Sequence, residues 1–175
     1  MAGPTAGLLL RLGSYTPRER RNAREDFCTE VLGFLLEFDP GSRTAFQTLF
    51  GLPQEHRRFR VFTQVAYDLG PGHRDDERRG RFDLVFAESE GNPLLQDIRF
   101  ILENKVDDPA ADEQLDRYRQ AAGGALIGAL SKREDSRPSD GTWIGGHTWA
   151  ELALALESVR PGEPMAEFVR GDFLA

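Results

Sequence analysis

The sequence has one cysteine, Cys28, so no disulfide can form within the chain, and the expected setting is a reducing, cytoplasmic one. No apolar run approaches the ~20 residues of a membrane-spanning helix, and no membrane partner is expected. The stretch GLLLRLG near the start is too short for a secretory apolar core and has no basic segment before it. His56, His73 and His147 are the only histidines and show no metal-ligand spacing, which removes the common zinc arrangements. Gly123-Gly124 comes with neither a Walker lysine nor a dinucleotide fingerprint and reads as a helix stop. Internal repeats and low-complexity segments are also missing.

What remains is one domain's worth of chain, 175 residues, long enough to bury a core without staples. The formal net charge of −7 is opposite to that of a non-specific nucleic-acid binder. Its distribution is uneven. Arg18, Arg20, Arg21 and Arg24 cluster near the start, and His56, Arg57, Arg58 and Arg60 cluster before a strand-like run. Much of the acid lies elsewhere, as at Asp107, Asp108, Asp112 and Glu113. A local basic surface and plain solvated helix or loop faces both account for such clusters.

Residues 1–16 suggest no element, and Thr16-Pro17 has the form of a helix opening. The spacing predicts a helix from Asn22 to Phe38, with Phe27, Val31, Phe34, Leu35 and Phe38 as the face that packs on a sheet and Glu30 at its border. Asp39-Pro40-Gly41 ends it, and a second helix is predicted over Ser42–Phe50. Residues 59–69 read as a strand, and Gly70–Gly80, with Asp75-Asp76-Glu77 inside it, as a mobile loop. Two further strand-like runs, RFDLVF and IRFILENK, flank Gly91-Asn92-Pro93 as an antiparallel hairpin. A helix opening at Asp107-Asp108-Pro109 runs to about Ala122, and ALIGAL over 125–130 suits a buried strand. After a polar loop, Thr148 and Glu151 form a capping box for a helix that buries Trp149, Leu152, Leu156 and Val159. A short tail carries Met165 and Phe168. The order predicts an α/β sandwich: a three-stranded meander, then a crossover helix to a fourth strand.

The chemistry concentrates on the hairpin. Glu103 and Lys105 share a strand face at the end of the second strand, and Asp83 lies on the partner strand. Asp83 and Glu103, with the backbone carbonyl of Asn104, offer the few oxygens that Mg²⁺ takes from proteins, and Glu30 reaches such a metal through water. Lys105 beside it orients or helps deprotonate a water and offsets developing charge. Gln114 and Tyr118, one turn apart on the following helix, position water, ligands or phosphate. Taken singly, Glu103-Asn104-Lys105 is more often a surface pair on a solvent-facing sheet edge than a catalytic one, and the same holds of Asp83 alone. Cys28 reads as a structural cysteine, and Trp143 and Trp149 as core or interface.

The hairpin with Asp83 and Glu103-x-Lys105 resembles the core motif of the PD-(D/E)xK nuclease superfamily. Glu25-Asp26-Phe27-Cys28-Thr29-Glu30 resembles its first-helix motif, in which an acid at the Glu30 position joins the site. Gln114-Leu115-Asp116-Arg117-Tyr118 resembles the Q-x-x-x-Y helix that follows the lysine in many members. His147-Thr148-Trp149 is similar to a late strand-to-helix passage in several uncharacterised bacterial members. Phe82 stands where the motif's name has proline. The resemblance implies a restriction-endonuclease-like three-layer sandwich, with a mixed central sheet of four to five strands flanked by helices. It also implies an Mg²⁺-dependent nuclease, Mn²⁺ substituting, that acts on DNA ahead of RNA and pairs as a homodimer. Phosphate contacts are then expected at Arg18, Arg21, Arg24, Arg57, Arg58 and Arg60. The competing expectation is a catalytically silent binding, sensor or assembly module on the same fold.

Overall fold

Asp39 decides where the first two helices part. In the computed structural model its side chain accepts hydrogen bonds from the Ser42 N–H (2.9 Å) and the Ser42 hydroxyl (2.5 Å). This caps a helix that starts on Pro40 rather than at Ser42, because proline suits a helix's first turn. The two helices are α1 (Ala23–Phe38) and α2 (Pro40–Leu49). Then come β1 (Arg60–Asp68), β2 (Arg79–Ala87), β3 (Ile98–Asn104), α3 (Asp112–Ala121), β4 (Leu126–Ser131), β5 (Trp143–Thr148) and α4 (Trp149–Glu157). The described residues are 23–74, 78–89, 91–106, 110–135 and 137–160, with 167, 169 and 171. The readings made at residues 1–16, Thr16-Pro17, Arg18, Arg21, Asp75–Glu77, Asp107–Pro109, Met165 and Phe168 lie outside them.

The five strands form one open mixed sheet in the order β1-β2-β3-β4-β5. β1, β2 and β3 are antiparallel neighbours, while β3, β4 and β5 run parallel. Helices cover both faces. Leu32 and Leu36 of α1, Phe46 of α2, and Leu152 and Leu156 of α4 pack on Leu84, Phe86, Phe100, Leu102 and Leu130. Leu115 and Tyr118 of α3 pack on the opposite face with Val85, Ile101, Ile127 and Ala129. Among the described residues no helix is long and apolar enough to cross a membrane.

The chain is thus an α/β sandwich with the expected meander and crossover, and three points differ from the sequence reading. α1 buries two faces: Thr29, Leu32 and Leu36 are fully buried towards the sheet, while Val31 and Leu35 of the expected face are buried with Phe27 and Val169 instead, and Phe38 is 57% exposed. Apolar residues surround most of α1, so hydrophobicity alone left its orientation open. Gly33 fixes it, because a Cβ there would stand 2.5 Å from the Thr63 methyl on β1. The second difference is β5, to which the residue pattern assigned no element, although the resemblance implied a strand leading into the last helix and a sheet of up to five strands. In WIGGHT two central glycines interrupt the strand-formers Trp143, Ile144 and Thr148, and the backbone pairs with β4 while the Trp143 side chain is buried.

The third difference lies inside the first hairpin. Strict alternation puts Phe82, Leu84 and Phe86 on one face. Leu84 and Phe86 do face α1 and α2, but Phe82 packs with Tyr118 on the α3 side. Arg81 correspondingly reaches Asp26 on α1 (2.6 Å). β1 reverses at the same level: Phe62 and Val65 both join the α3-side cluster, while Thr63 faces α1. The reversal falls at Gln64 and Asp83, between the register pairs Thr63↔Leu84 and Val65↔Phe82. Gln64 has φ 57°, a left-handed conformation that turns the strand over without adding a residue.

Gly33→Ala should destabilise the protein by about 1–3 kcal/mol despite alanine's better helix propensity, because the added methyl overpacks the contact with the Thr63 methyl. Urea unfolding of Gly33→Ala, and of Gly33→Ala combined with Thr63→Ser, should show the second change restoring much of the loss.

Candidate metal centre

β2 pairs with β1 along its whole length but with β3 only from Leu84 to Ala87. β3 meanwhile stays beside β4 as far as the pair Asn104↔Leu130. The sheet therefore forks between β2 and β3, and Asp83 stands at the fork. Its carboxylate accepts the Asn104 N–H (2.9 Å), doing the work of the ladder carbonyl that β2 no longer supplies. A strand residue's N–H and C=O point to the same neighbour, so the Asn104 carbonyl faces the fork too. The Asn104 side chain goes to the other face and donates to Thr29 Oγ1 on α1 (2.7 Å).

Glu103 is fully buried on the α3 side. Gln114 Nε2 donates to its Oε1 (2.7 Å), the Tyr118 hydroxyl donates to its Oε2, and Lys105 Nζ lies 2.6 Å from Oε1. Gln114 also donates to the Tyr118 oxygen (3.1 Å), and the Tyr118 ring is held edge-on by Phe82 at 4.9 Å. The helical spacing of Gln114 and Tyr118 thus brings both to one carboxylate.

Lys105 is gripped from three sides. Its N–H donates to the Leu130 carbonyl (2.7 Å), and its carbonyl accepts the indole N–H of Trp149 (2.8 Å). The next N–H, of Val106, donates to Glu25 Oε1 (3.3 Å), and Glu25 Oε2 lies 3.9 Å from the Lys105 ammonium. Glu25 and Trp149 are the residues that sequence reasoning missed. Glu25 lies four residues before the sheet-facing Thr29, on the same helix face, and that spacing was the available signal. Trp149 was legible as an apolar-face residue in the passage from strand to helix, but nothing in the sequence tied its indole to Lys105.

Glu30 is not brought to this site. It is exposed, and its carboxylate accepts the Thr63 hydroxyl (2.9 Å) over β1. Helical geometry explains this, since Glu30 is rotated about 100° from Thr29. The expected basic surface divides similarly. Arg24 is exposed at the start of α1 beside Glu25, at the site's end of the helix. Arg58 and Arg60 sit at the opposite end of the hairpin, where Arg60 pairs with Ala87 in register and with Glu37 as an ion pair. Four residues separate Ala87 from Asp83, about 13 Å along a strand. The Arg57 side chain is outside the described residues.

Burial pushes the Asp83 acid up to about 7, and the Glu103 carboxylate adds to the effect. Burial pulls the Lys105 ammonium down, but the carboxylates of Glu103, Glu25 and Asp83 outweigh it and raise its proton affinity. Burial and the same two acids, Glu103 and Asp83, hold the Tyr118 phenol well above its ordinary value. Burial likewise raises the Cys28 thiol, which argues against a nucleophilic cysteine. Three carboxylates thus face one ammonium, and Asp83 holds its proton because burial disfavours the charged form and Glu103 repels it.

Among the described residues no group of three His, Cys, Asp or Glu stands ready to hold a metal. The oxygens that do converge, Asp83, Glu103 and the fork-facing Asn104 carbonyl, fit a hard cation that keeps most of its waters. Beside Lys105 lies a cavity of about 310 Å³ lined by Cys28, Val106, Lys132, Trp149 and Ala150. It opens at the carboxyl ends of the parallel strands, where α/β sheets commonly bind ligands.

Two outcomes follow. The native protein holds a proton on Asp83 that the unfolded chain releases above about pH 4, so this contribution to stability is lost as pH rises through about 7. In metal-free buffer, urea unfolding should show Asp83→Asn gaining on the wild type between pH 5 and pH 8. Tyr118→Phe removes one donor from a buried charge and should lose about 1–3 kcal/mol at pH 7 in the same assay.

No family model matches the chain, and comparison with curated proteins and with solved structures returns no match.

Proposed function

We propose that the protein is a metal-dependent nuclease of the PD-(D/E)xK superfamily, with the restriction-endonuclease-like fold, that hydrolyses phosphodiester bonds in DNA ahead of RNA. One observation carries the reading: Glu103 and Lys105 meet at 2.6 Å beside the fork where Asp83 takes over the Asn104 ladder bond. Two acids and a lysine are thereby gathered where the two strands part, at the carboxyl end of β3.

Asp83 and Glu103 hold the cation, Mg²⁺ or Mn²⁺, with the Asn104 carbonyl as a further oxygen. The bound cation supplies a polarised phosphate and a water of lowered pKa. Lys105 keeps its proton against three acids, so its role is electrostatic: its ammonium meets the negative charge that develops on the phosphate oxygens. Tyr118 and Gln114 hold Glu103 in place, Trp149 holds the Lys105 backbone, and Glu25 holds the Val106 N–H beside the Lys105 ammonium. The cavity by Lys105, with the exposed ammonium of Lys132 at its edge, receives substrate next to the scissile phosphate.

A second reading, the silent binding or assembly module, draws on Glu103. With donors from Gln114, Tyr118 and Lys105, that carboxylate is satisfied without any cation. The two readings separate by experiment. The nuclease reading expects Asp83→Ala and Lys105→Ala to lower cleavage at least 10²-fold and EDTA to abolish it. Glu25→Ala should weaken cleavage, whereas Glu30→Ala should leave it near wild type. Wild-type protein that cuts neither single- nor double-stranded substrates in Mg²⁺ or Mn²⁺, and shows no Tm shift with either, belongs to the second reading.

A further inference from the structure

Two polar groups at the fork lack partners. Asn104 has its side-chain oxygen buried without a hydrogen bond, but its amide nitrogen is bonded to Thr29. Gln64 has neither end bonded: both side-chain amide atoms are shut off from solvent and have no partner among the described residues. A buried carboxamide left this way gives up its water bonds for nothing.

Gln64 is also the one non-glycine among the described residues with positive φ, at 57°. That conformation suits glycine or asparagine; a longer side chain is strained in it. Asparagine or aspartate there often relieves the strain with a local hydrogen bond, and Gln64 makes none. Both penalties fall on the residue facing Asp83. The flanking register pairs, Thr63↔Leu84 and Val65↔Phe82, put Gln64 opposite Asp83 across β1 and β2. Strain persists where the surrounding structure enforces it, and it gathers at ligand sites.

A carboxamide also suits this place chemically. Three acids already face one ammonium here. A neutral oxygen adds an acceptor for a hydrated cation without a further negative charge to repel Asp83. We propose that Gln64 is a ligand-contacting residue of the Asp83 site, its side-chain oxygen accepting from a water of the divalent cation held at Asp83 and Glu103. This rests on the metal-dependent reading of the site.

Mn²⁺ alone, titrated into the full chain and followed by electron paramagnetic resonance, tests it alongside metal-free urea unfolding. Gln64→Gly removes both the strain and the carboxamide. Gln64→Asn keeps a residue that tolerates the left-handed conformation but shortens the reach by one carbon. Metal-free Gln64→Gly should resist urea better than the wild type, and both variants should bind Mn²⁺ at least tenfold more weakly. Wild-type Mn²⁺ affinity in Gln64→Gly, or lower metal-free stability in that variant, overturns the inference and leaves the nuclease reading standing. A wild-type chain that binds Mn²⁺ but cuts no nucleic acid removes the nuclease reading alone, because the Gln64→Gly comparison still decides this one. A wild-type chain that binds no Mn²⁺ overturns both.

Discussion

A carboxylate with no exposure to solvent is among the most expensive groups a small domain can carry, and Glu103 is such a group. Its compensation dictates much of the surrounding architecture. Gln114 and Tyr118 must come from one turn of α3, so α3 has to dock on that face of the sheet. Lys105 must stand one residue beyond the end of β3, so the chain leaves the strand immediately after Asn104. Tyr118 in turn needs a packed ring environment, which Phe82 and Tyr67 provide. Removing one partner from such a network leaves a buried charge short of donors, which is far more disruptive than exchanging two surface residues.

Much of this was legible in the sequence. The apolar runs around Asp83 and Glu103 announced the hairpin, because β-formers alternate there and Gly91-Asn92-Pro93 breaks them. Gln114 and Tyr118 were readable because helix geometry alone puts positions four apart on one face. The α4 cap was readable because Thr148 and Glu151 satisfy each other locally, as the structure shows.

What escaped had non-local causes. The face α1 buries depends on how closely Gly33 approaches Thr63, a contact between residues 30 apart in the chain. Glu25 rather than Glu30 reaches Lys105 because that orientation fixes the helix's rotation. The residue pattern alone assigned no element to β5, because Gly145 and Gly146 interrupt its strand-formers and its pairing with β4 is made by the backbone. The face reversal at Gln64 and Asp83 broke the alternation rule at the point where the two strands part company with the regular ladder. Departures of this sort concentrate at sites rather than in the scaffold.

The hydrogen bond from Trp149 to the Lys105 carbonyl spans 44 residues of chain. Contacts of such long sequence separation close large loops and are gained late in folding. During synthesis Asp83, Glu103 and Lys105 emerge well before Trp149, so the lysine's backbone remains without that tie until α4 has been made and docked. The Lys105 carbonyl therefore gains this donor only with α4, whereas the contacts of Glu103 with Lys105 and of Asp83 with Asn104 join residues made earlier.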